Sequence, residues 1–190
     1  MKSLQRMKTH YIDIMQLHNP PVEETEKNQL VDAFKEMQQQ GKVRFISIST
    51  TLPHLPIYLQ WGVFDTFQIP YSALEREHED WISRASEAGI GTIIRGGVAR
   101  GEVGVGQGNE NSWKKFEEAS LDELREPGES RTAFLLRFTL SHPHVNTTIV
   151  GTLYPEHLRE NLAAVERGLL PANVYDEAKR RLDRVGIAPA

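Results

Sequence analysis

Two periodicities take turns along this chain. Tyr11–Leu17 places apolar residues at strand spacing, and Gln29–Gln40 then carries Leu30, Val31, Phe34 and Met37 at helical spacing. Gly41 stands where such a helix stops. The exchange repeats as a strand at Val43–Ser49, a short helix at His54–Trp61 closed by Gly62, and a strand at Val63–Ile69. A helix at Glu77–Ala88 follows, with Trp81, Ile82 and Ala85 on one face and Gly89 at its end, and then a strand at Ile90–Arg95. The segment from Gly96 to about Asn111 is rich in glycine and reads as a loop. Trp113–Ala119 is compatible with a helix, and Ser120-Leu-Asp-Glu123 has the pattern of a capping box. The rest predicts a helix at Ser130–Ser141, a strand at Val145–Gly151, a helix at Pro155–Arg167 and an amphipathic helix at Val174–Val185.

Strands alternating with helices imply βα units and a parallel sheet, so the fold class is α/β with about five parallel strands and flanking helices. No linker, low-complexity tract or repeat interrupts the pattern, and residues 1–190 are read as a single domain. In parallel α/β folds the chemistry gathers at the C-terminal ends of the strands. Here those ends read His18-Asn19-Pro20, Ser49-Thr50-Thr51, Gln68 with Tyr71-Ser72 behind it, Arg95-Gly96-Gly97, and Gly151-Thr152. A polar residue ends most strands, so each alone is unremarkable, but five toward one rim form a candidate site.

Within that set His18 is the residue suited to proton chemistry near neutral pH, either to orient a substrate oxygen or to stabilise charge developing on it. The bland reading is a hydrogen-bonded histidine closing a strand. His142-Pro-His144 has a metal-like spacing but lies in a helix-to-strand turn with no carboxylate near in sequence, so no metal site is assigned. His10 and His78 read as exposed. Gly101, Gly104, Gly106 and Gly108 do not satisfy the G-x-G-x-x-G fingerprint, and no Walker A motif occurs. A bound phosphate would best suit the junction Gly151-Thr-Leu-Tyr-Pro155-Glu-His157, where a helix begins; the alternative there is an ordinary βα turn.

Composition narrows the partners. A net charge of −4 with no Lys/Arg stripe disfavours nucleic acid. The absence of cysteine removes disulfides, thiolate nucleophiles and Cys-based metal sites, and is compatible with a reducing cytoplasm. No apolar run approaches the ~18 residues of a membrane span, and the first residues do not form a secretory signal, so a cytoplasmic protein away from membranes is expected.

The motifs, taken in order, resemble the aldo-keto reductases. Ser3-Leu-Gln-Arg-Met-Lys-Thr-His-Tyr-Ile-Asp-Ile-Met-Gln-Leu-His18 is similar to the family's passage from the third helix into the fourth strand. Gly41-Lys-Val-Arg-Phe-Ile-Ser-Ile-Ser49 is similar to its approach to strand five. Gln68-Ile-Pro-Tyr-Ser72, Arg95-Gly-Gly-Val-Ala-Arg-Gly101, and Ile149-Val-Gly-Thr152 with Pro155-Glu-His-Leu-Arg-Glu-Asn161 look like strands six to eight and their loops.

The resemblance implies a partial TIM (β/α)8 barrel that uses NADP(H), with NAD(H) not excluded, to reduce a small-molecule aldehyde or ketone by hydride transfer. By the same resemblance His18 is the active-site histidine that orients the carbonyl. Ser49, Thr50 and Gln68 meet the nicotinamide carboxamide, with Thr50 in place of the usual Asn. Arg95 packs on the nicotinamide ring, Gly96 and Val98 belong to the pyrophosphate loop, and Glu160 and Asn161 meet the adenine side. Gly151 and His157 stand where the best-known NADPH-preferring members often carry Lys and Arg; Thr152 and Arg159 are left to help hold a 2′-phosphate.

The family's Asp, Tyr and Lys come from strands two and three, and this chain aligns from just before strand four, so His18 alone of the tetrad is assigned. An eight-stranded barrel of this kind takes about 250 residues. The chain is therefore expected to be incomplete and to need a partner or a missing N-terminal segment to close the barrel; its oligomeric state is open. Met1 fits either an internal methionine or a late start. The alternatives to a reductase are a non-catalytic NADP(H)-binding or regulatory module, or an inactive gene remnant.

Overall fold

A computed structural model describes residues 2–190. In chain order the elements are α1 (Lys2–Met7), β1 (Ile12–His18), α2 (Val22–Lys27), α3 (Leu30–Gln39), β2 (Val43–Ser49), α4 (Leu55–Trp61), β3 (Thr66–Pro70), α5 (Glu79–Glu87) and β4 (Gly91–Arg95). Then come α6 (Glu110–Glu118), a 3-10 turn (Leu121–Leu124), α7 (Arg131–Leu140), β5 (Thr147–Thr148), α8 (Pro155–Glu166) and α9 (Ala172–Arg184). The strands form one sheet in the order β1-β2-β3-β4-β5. Sequential order with parallel pairing is what successive βα units produce.

The elements follow their local chemistry. The Ser130 hydroxyl accepts from Ala133 N–H at 3.1 Å and starts α7, and the Asn109 side chain accepts from Ser112 N–H at 3.2 Å and starts α6. The capping box expected at Ser120–Glu123 does not form. Ser120 lies at φ 50 with no side-chain cap, and the carboxylate of Glu123 is taken by Arg181 at 2.8 Å. Strand Val145–Gly151 shrinks to Thr147–Thr148, the two residues in register with Ile93 and Ile94 of β4, though Ile149 N–H still reaches Ile94 O at 2.8 Å. The short α2 is invisible to periodicity: VEETEK buries only Thr25, whose hydroxyl lies 2.7 Å from the Tyr58 hydroxyl.

The chain forms two compact units. One holds the residues up to Ile69 with Arg84–Thr92, the other Pro70–Ser83 with Ile93–Ala190. In the first, the register sets Leu17 against Ile48 and Ile48 against Phe67, all buried. Side chains alternate across a strand, so the opposite face presents Ile14 beside Phe45, then Gln16–Ser47–Thr66, then His18–Ser49–Gln68. Ile14 and Phe45 remain 42 % and 43 % exposed.

In the second unit two arginines organise the packing. Arg137 donates to Glu129 at 2.8 Å, to Glu126 at 2.9 Å, and to the carbonyls of Gly168 and Leu169 at 2.9 and 3.2 Å. Arg76 donates to Glu79 at 2.6 Å and to Asp183 at 2.7 Å, and also reaches the carbonyls of Lys179 and Ile187. His78, expected at the surface, is fully buried between these anchored neighbours. On α8 and just beyond it, Leu158, Leu162, Val165 and Leu169 remain exposed at helical spacing. Exposed apolar rows are less usual than scattered exposed leucines.

Two predictions follow from the buried charges. Arg137→Met leaves the fully buried Glu129 carboxylate without its cation and should cost about 3–5 kcal/mol in denaturant unfolding. Adding Glu129→Gln should restore part of that loss, whereas equal losses in the single and double variants would contradict the buried-charge account. Burial holds the pKa of both His78 and His142 below the ordinary 6.5, against the opposing pull of Glu77 and Glu79 respectively. The unfolded chain therefore takes up protons that the folded chain refuses. Stability should be level above pH 6.5 and fall as pH drops below it; a flat urea-midpoint profile down to pH 5 would count against this.

Candidate cofactor and carbonyl site

In the first unit, the C-terminal ends of three strands present the polar rim. His18 is exposed at the end of β1, opposite Ser49, which is in turn opposite Gln68. The backbone continues the ladder one step past each strand: Asn19 N–H donates to Ser49 O at 2.8 Å and Thr50 N–H to Gln68 O at 3.1 Å. Ser49 and Thr50 are buried, while Gln68 is half-buried. A chain of side-chain bonds orients Gln68. The single Ser47 hydroxyl proton is within reach of Gln16 Oε1 at 3.2 Å and of Thr66 O at 3.0 Å, and Gln16 Nε2 donates to Gln68 Oε1 at 3.1 Å. The Gln68 carbonyl oxygen is thereby engaged, and its amide NH2 makes no hydrogen bond among the described residues. Gln16 escaped the sequence argument, although its place two residues before His18 puts it on the same strand face.

In the second unit, β4 ends at the half-buried Arg95, whose carbonyl accepts from Tyr71 N–H at 3.2 Å. Gly96 turns the chain at φ 75, a conformation that suits glycine. A Cβ there would lie 3.7 Å from the Glu75 carboxylate. Desolvation pushes the Glu75 pKa up, and Arg95 and Arg100 pull it partly back. Glu75 carried no signal in the sequence, where Glu75-Arg-Glu-His78 reads as an ordinary charged run. The loop beyond is folded on itself. Gly106 N–H donates to Glu102 O at 2.6 Å and Gln107 N–H to Arg100 O at 2.9 Å, and Arg131 ties Glu102 at 3.1 Å. A Cβ on Gly106 would sit 2.6 Å from Arg100 O and 2.8 Å from Gly101 Cα.

That loop and the start of α8 enclose a groove of about 860 Å³. Val98, Gly151, Thr152, His157, Glu160 and Asn161 all line it, so these sequence-chosen residues are brought together. Arg95 and Gly96 precede the groove in the loop and are not among its walls. His18, Ser49, Thr50 and Gln68 belong to the rim of the other unit. Arg100, Glu102, Gln107, Thr132 and Tyr154 line the groove as well, and loop folding rather than any motif put them there. Tyr154 N–H donates to Thr152 Oγ1 at 3.1 Å, Thr152 Oγ1 lies 3.4 Å from His157 Nδ1, and the Tyr154 and His157 rings meet edge-on at 5.2 Å. Asn161 is 9 % exposed in the groove wall, and its amide, which keeps contact with solvent, makes no hydrogen bond among the described residues.

Elsewhere, His142 is buried with its Nδ1 accepting from His144 N–H at 3.2 Å. Among the described residues no three His, Cys, Asp or Glu side chains cluster as a metal site, and no helix is long and apolar enough to cross a membrane.

The fold and rim define an α/β protein of the partial TIM-barrel class, with parallel strands whose C-terminal ends carry the polar residues. The chain belongs to the Aldo/keto reductase family, whose model matches residues 1–182. It is 31 % identical over 177 residues to an uncharacterized oxidoreductase of Bacillus subtilis, YqkF, covering 86 % of this chain and 58 % of that protein. It is 26 % identical to the NADH-specific methylglyoxal reductase of Escherichia coli, covering 90 % of this chain and 59 % of the relative. The aldo-keto reductase AKR11C1 of Bacillus halodurans, in its holo form, superposes with a TM-score of 0.81 at 26 % identity, covering 99 % of this chain and 63 % of that one. The chain thus spans about three-fifths of the length of these relatives. Aldo-keto reductases bind NAD(P)H.

Gly106→Ala tests the loop. The added methyl cannot be placed without parting Arg100 from Gly106, so the variant should lose about 1–3 kcal/mol and show faster proteolysis within residues 98–108. An unchanged cleavage rate there would contradict the close packing.

Proposed function

We propose that this chain provides the cofactor-binding and carbonyl-orienting part of an NAD(P)H-dependent aldo-keto reductase acting on aldehydes or ketones. The observation that carries the reading is the groove, with an Asn161 amide that has no protein partner in its α8 wall. Its volume is in the range that holds a nucleotide-sized ligand. An amide with no protein partner that lines a groove is free to donate to and accept from a ligand there.

Asn161 and Glu160 would meet the adenine, and Val98 and the loop backbone the pyrophosphate. In the other unit, the free NH2 of Gln68 and the hydroxyls of Ser49 and Thr50 suit a carboxamide, which needs both donors and acceptors. The nicotinamide, when bound, supplies the hydride. His18 can donate a hydrogen bond to the carbonyl oxygen and so hold it and stabilise charge growing there. The proton donor, with its Lys and Asp, is assigned by resemblance to strands with no counterpart among residues 1–190. We propose that such strands, from a partner or a longer chain, complete the barrel; the exposed Ile14, Phe45, Leu158 and Leu162 support this.

Calorimetric titration of the chain with NADH and with NADPH tests the cofactor reading. At least one nucleotide should bind at micromolar concentration, and Asn161→Ala should weaken it about five- to tenfold, the worth of about one hydrogen bond. Failure of both nucleotides to bind would remove the basis for the proposal.

A further inference from the structure

Gln16 shares a face of β1 with Ile14 and His18 and has no part in the cofactor contacts proposed above. Packing alone does not call for it. On that face it stands beside the apolar Ile14 and Phe45, where a leucine would avoid the cost of half-burying an amide. Its register partner Ser47 is fully buried.

What the amide does is reach across a strand. β1 and β3 flank β2, so their backbones lie about 9–10 Å apart, twice the spacing of neighbours. Gln16 Nε2 and Gln68 Oε1 nevertheless meet at 3.1 Å. Both side chains are long, and the β2 residues in register with them are the small Ser47 and Ser49. Asparagine in either place would fall a methylene short. A glutamine has several rotatable bonds and is costly to order; for Gln68 that ordering is done within the fold, before any ligand arrives. One end of its amide is tied, and the other has no protein partner among the described residues.

We infer that Gln16 is a positioning residue that acts through Gln68: by tying one end of that amide across β2, it holds the other end ready for the nicotinamide carboxamide. The inference rests on the cofactor reading above and adds the residue that preorganises its ring-binding end.

The probes are NADH against ADP-ribose, and NADPH against 2′-phospho-ADP-ribose, each pair differing by the nicotinamide. They are titrated by calorimetry into the chain and into variants shown to be folded by circular dichroism. Gln16→Met keeps the bulk and loses the bond, whereas Gln16→Asn keeps an amide and loses the reach. Each should weaken the tighter-binding dinucleotide about fivefold, the cost of ordering one freed side chain on binding, and move its ribose counterpart by less than twofold. In a Gln68→Met background, Gln16→Met should weaken the dinucleotide no further, because a residue that acts through Gln68 has nothing left to act on. Additive losses, an unchanged dinucleotide affinity in both single variants, or equal losses for the dinucleotide and its ribose counterpart overturn the positioning role and leave the cofactor reading standing. Binding of neither dinucleotide to the unaltered chain overturns both.

Discussion

The in-register parallel pairing of β1, β2 and β3 is the constraint on which the rim depends. It is bracketed by Ile12 N–H on Lys42 O at 2.9 Å and Asn19 N–H on Ser49 O at 2.8 Å. A slip of one residue would turn every side chain to the other face. Ile48 and Phe67 would leave the core, and Ser47 and Gln68 would enter it without partners. The buried row Leu17–Ile48–Phe67 therefore sets the register by its apolar burial, and the polar row His18–Ser49–Gln68 follows from it. The rim thus depends on hydrophobic packing on the far side of the same three strands.

In the second unit ion pairs take the corresponding part. Buried ion pairs add little net stability, because desolvation opposes their attraction, but they demand one geometry. Arg137 uses its guanidinium on two carboxylates and two carbonyls, and so joins α7 to the turn at Gly168–Leu169 that follows α8. Arg76 joins the segment after β3 to α9 in the same way. Near the groove, Thr139 Oγ1 donates to Gly97 O at 2.9 Å and Thr148 Oγ1 to Ile94 O at 3.3 Å, which fixes where the loop leaves the sheet. The groove wall on α8 and the loop that faces it are each held by polar contacts that alternative packings would leave unpaired.

Much of this was legible in the chain. Strand and helix periods located β1 to β4 and α3 to α9 within a few residues, because each carries a regular apolar spacing, although α8 leaves most of its row exposed and α7 is buried over Phe134–Thr139. Gly151, Thr152 and His157 could be chosen because a strand end and a helix start lie close together in sequence, whereas Val98, Glu160 and Asn161 were legible only through the family resemblance. What was missed has physical causes. α2 buries one threonine and so has no apolar period. β5 is shorter than its β-branched run because only Thr147 and Thr148 find ladder partners on β4. His78 looked exposed in a charged run, but salt bridges made by Arg76 and Glu79 draw that run inward. Arg100 reaches the groove through loop conformation, which leaves no periodic trace.

The uncovered apolar residues bear on the chemistry as well as on solubility. Ile14 lies two residues before Gln16 and four before His18, on the same face of β1, and Phe45 stands in register beside it. Whatever covers Ile14 and Phe45 also removes water from beside Gln16 and the bond it makes to Gln68. Hydrogen bonds strengthen as the local dielectric falls, and unpaired polar groups become costlier. The Ser47–Gln16–Gln68 chain is already paired, so covering strengthens it. The His18 side chain and the Gln68 NH2, which have no protein partner among the described residues, would instead be left dependent on a ligand. Covering the apolar row and sharpening the demand for substrate and cofactor are, on this strand face, one physical event.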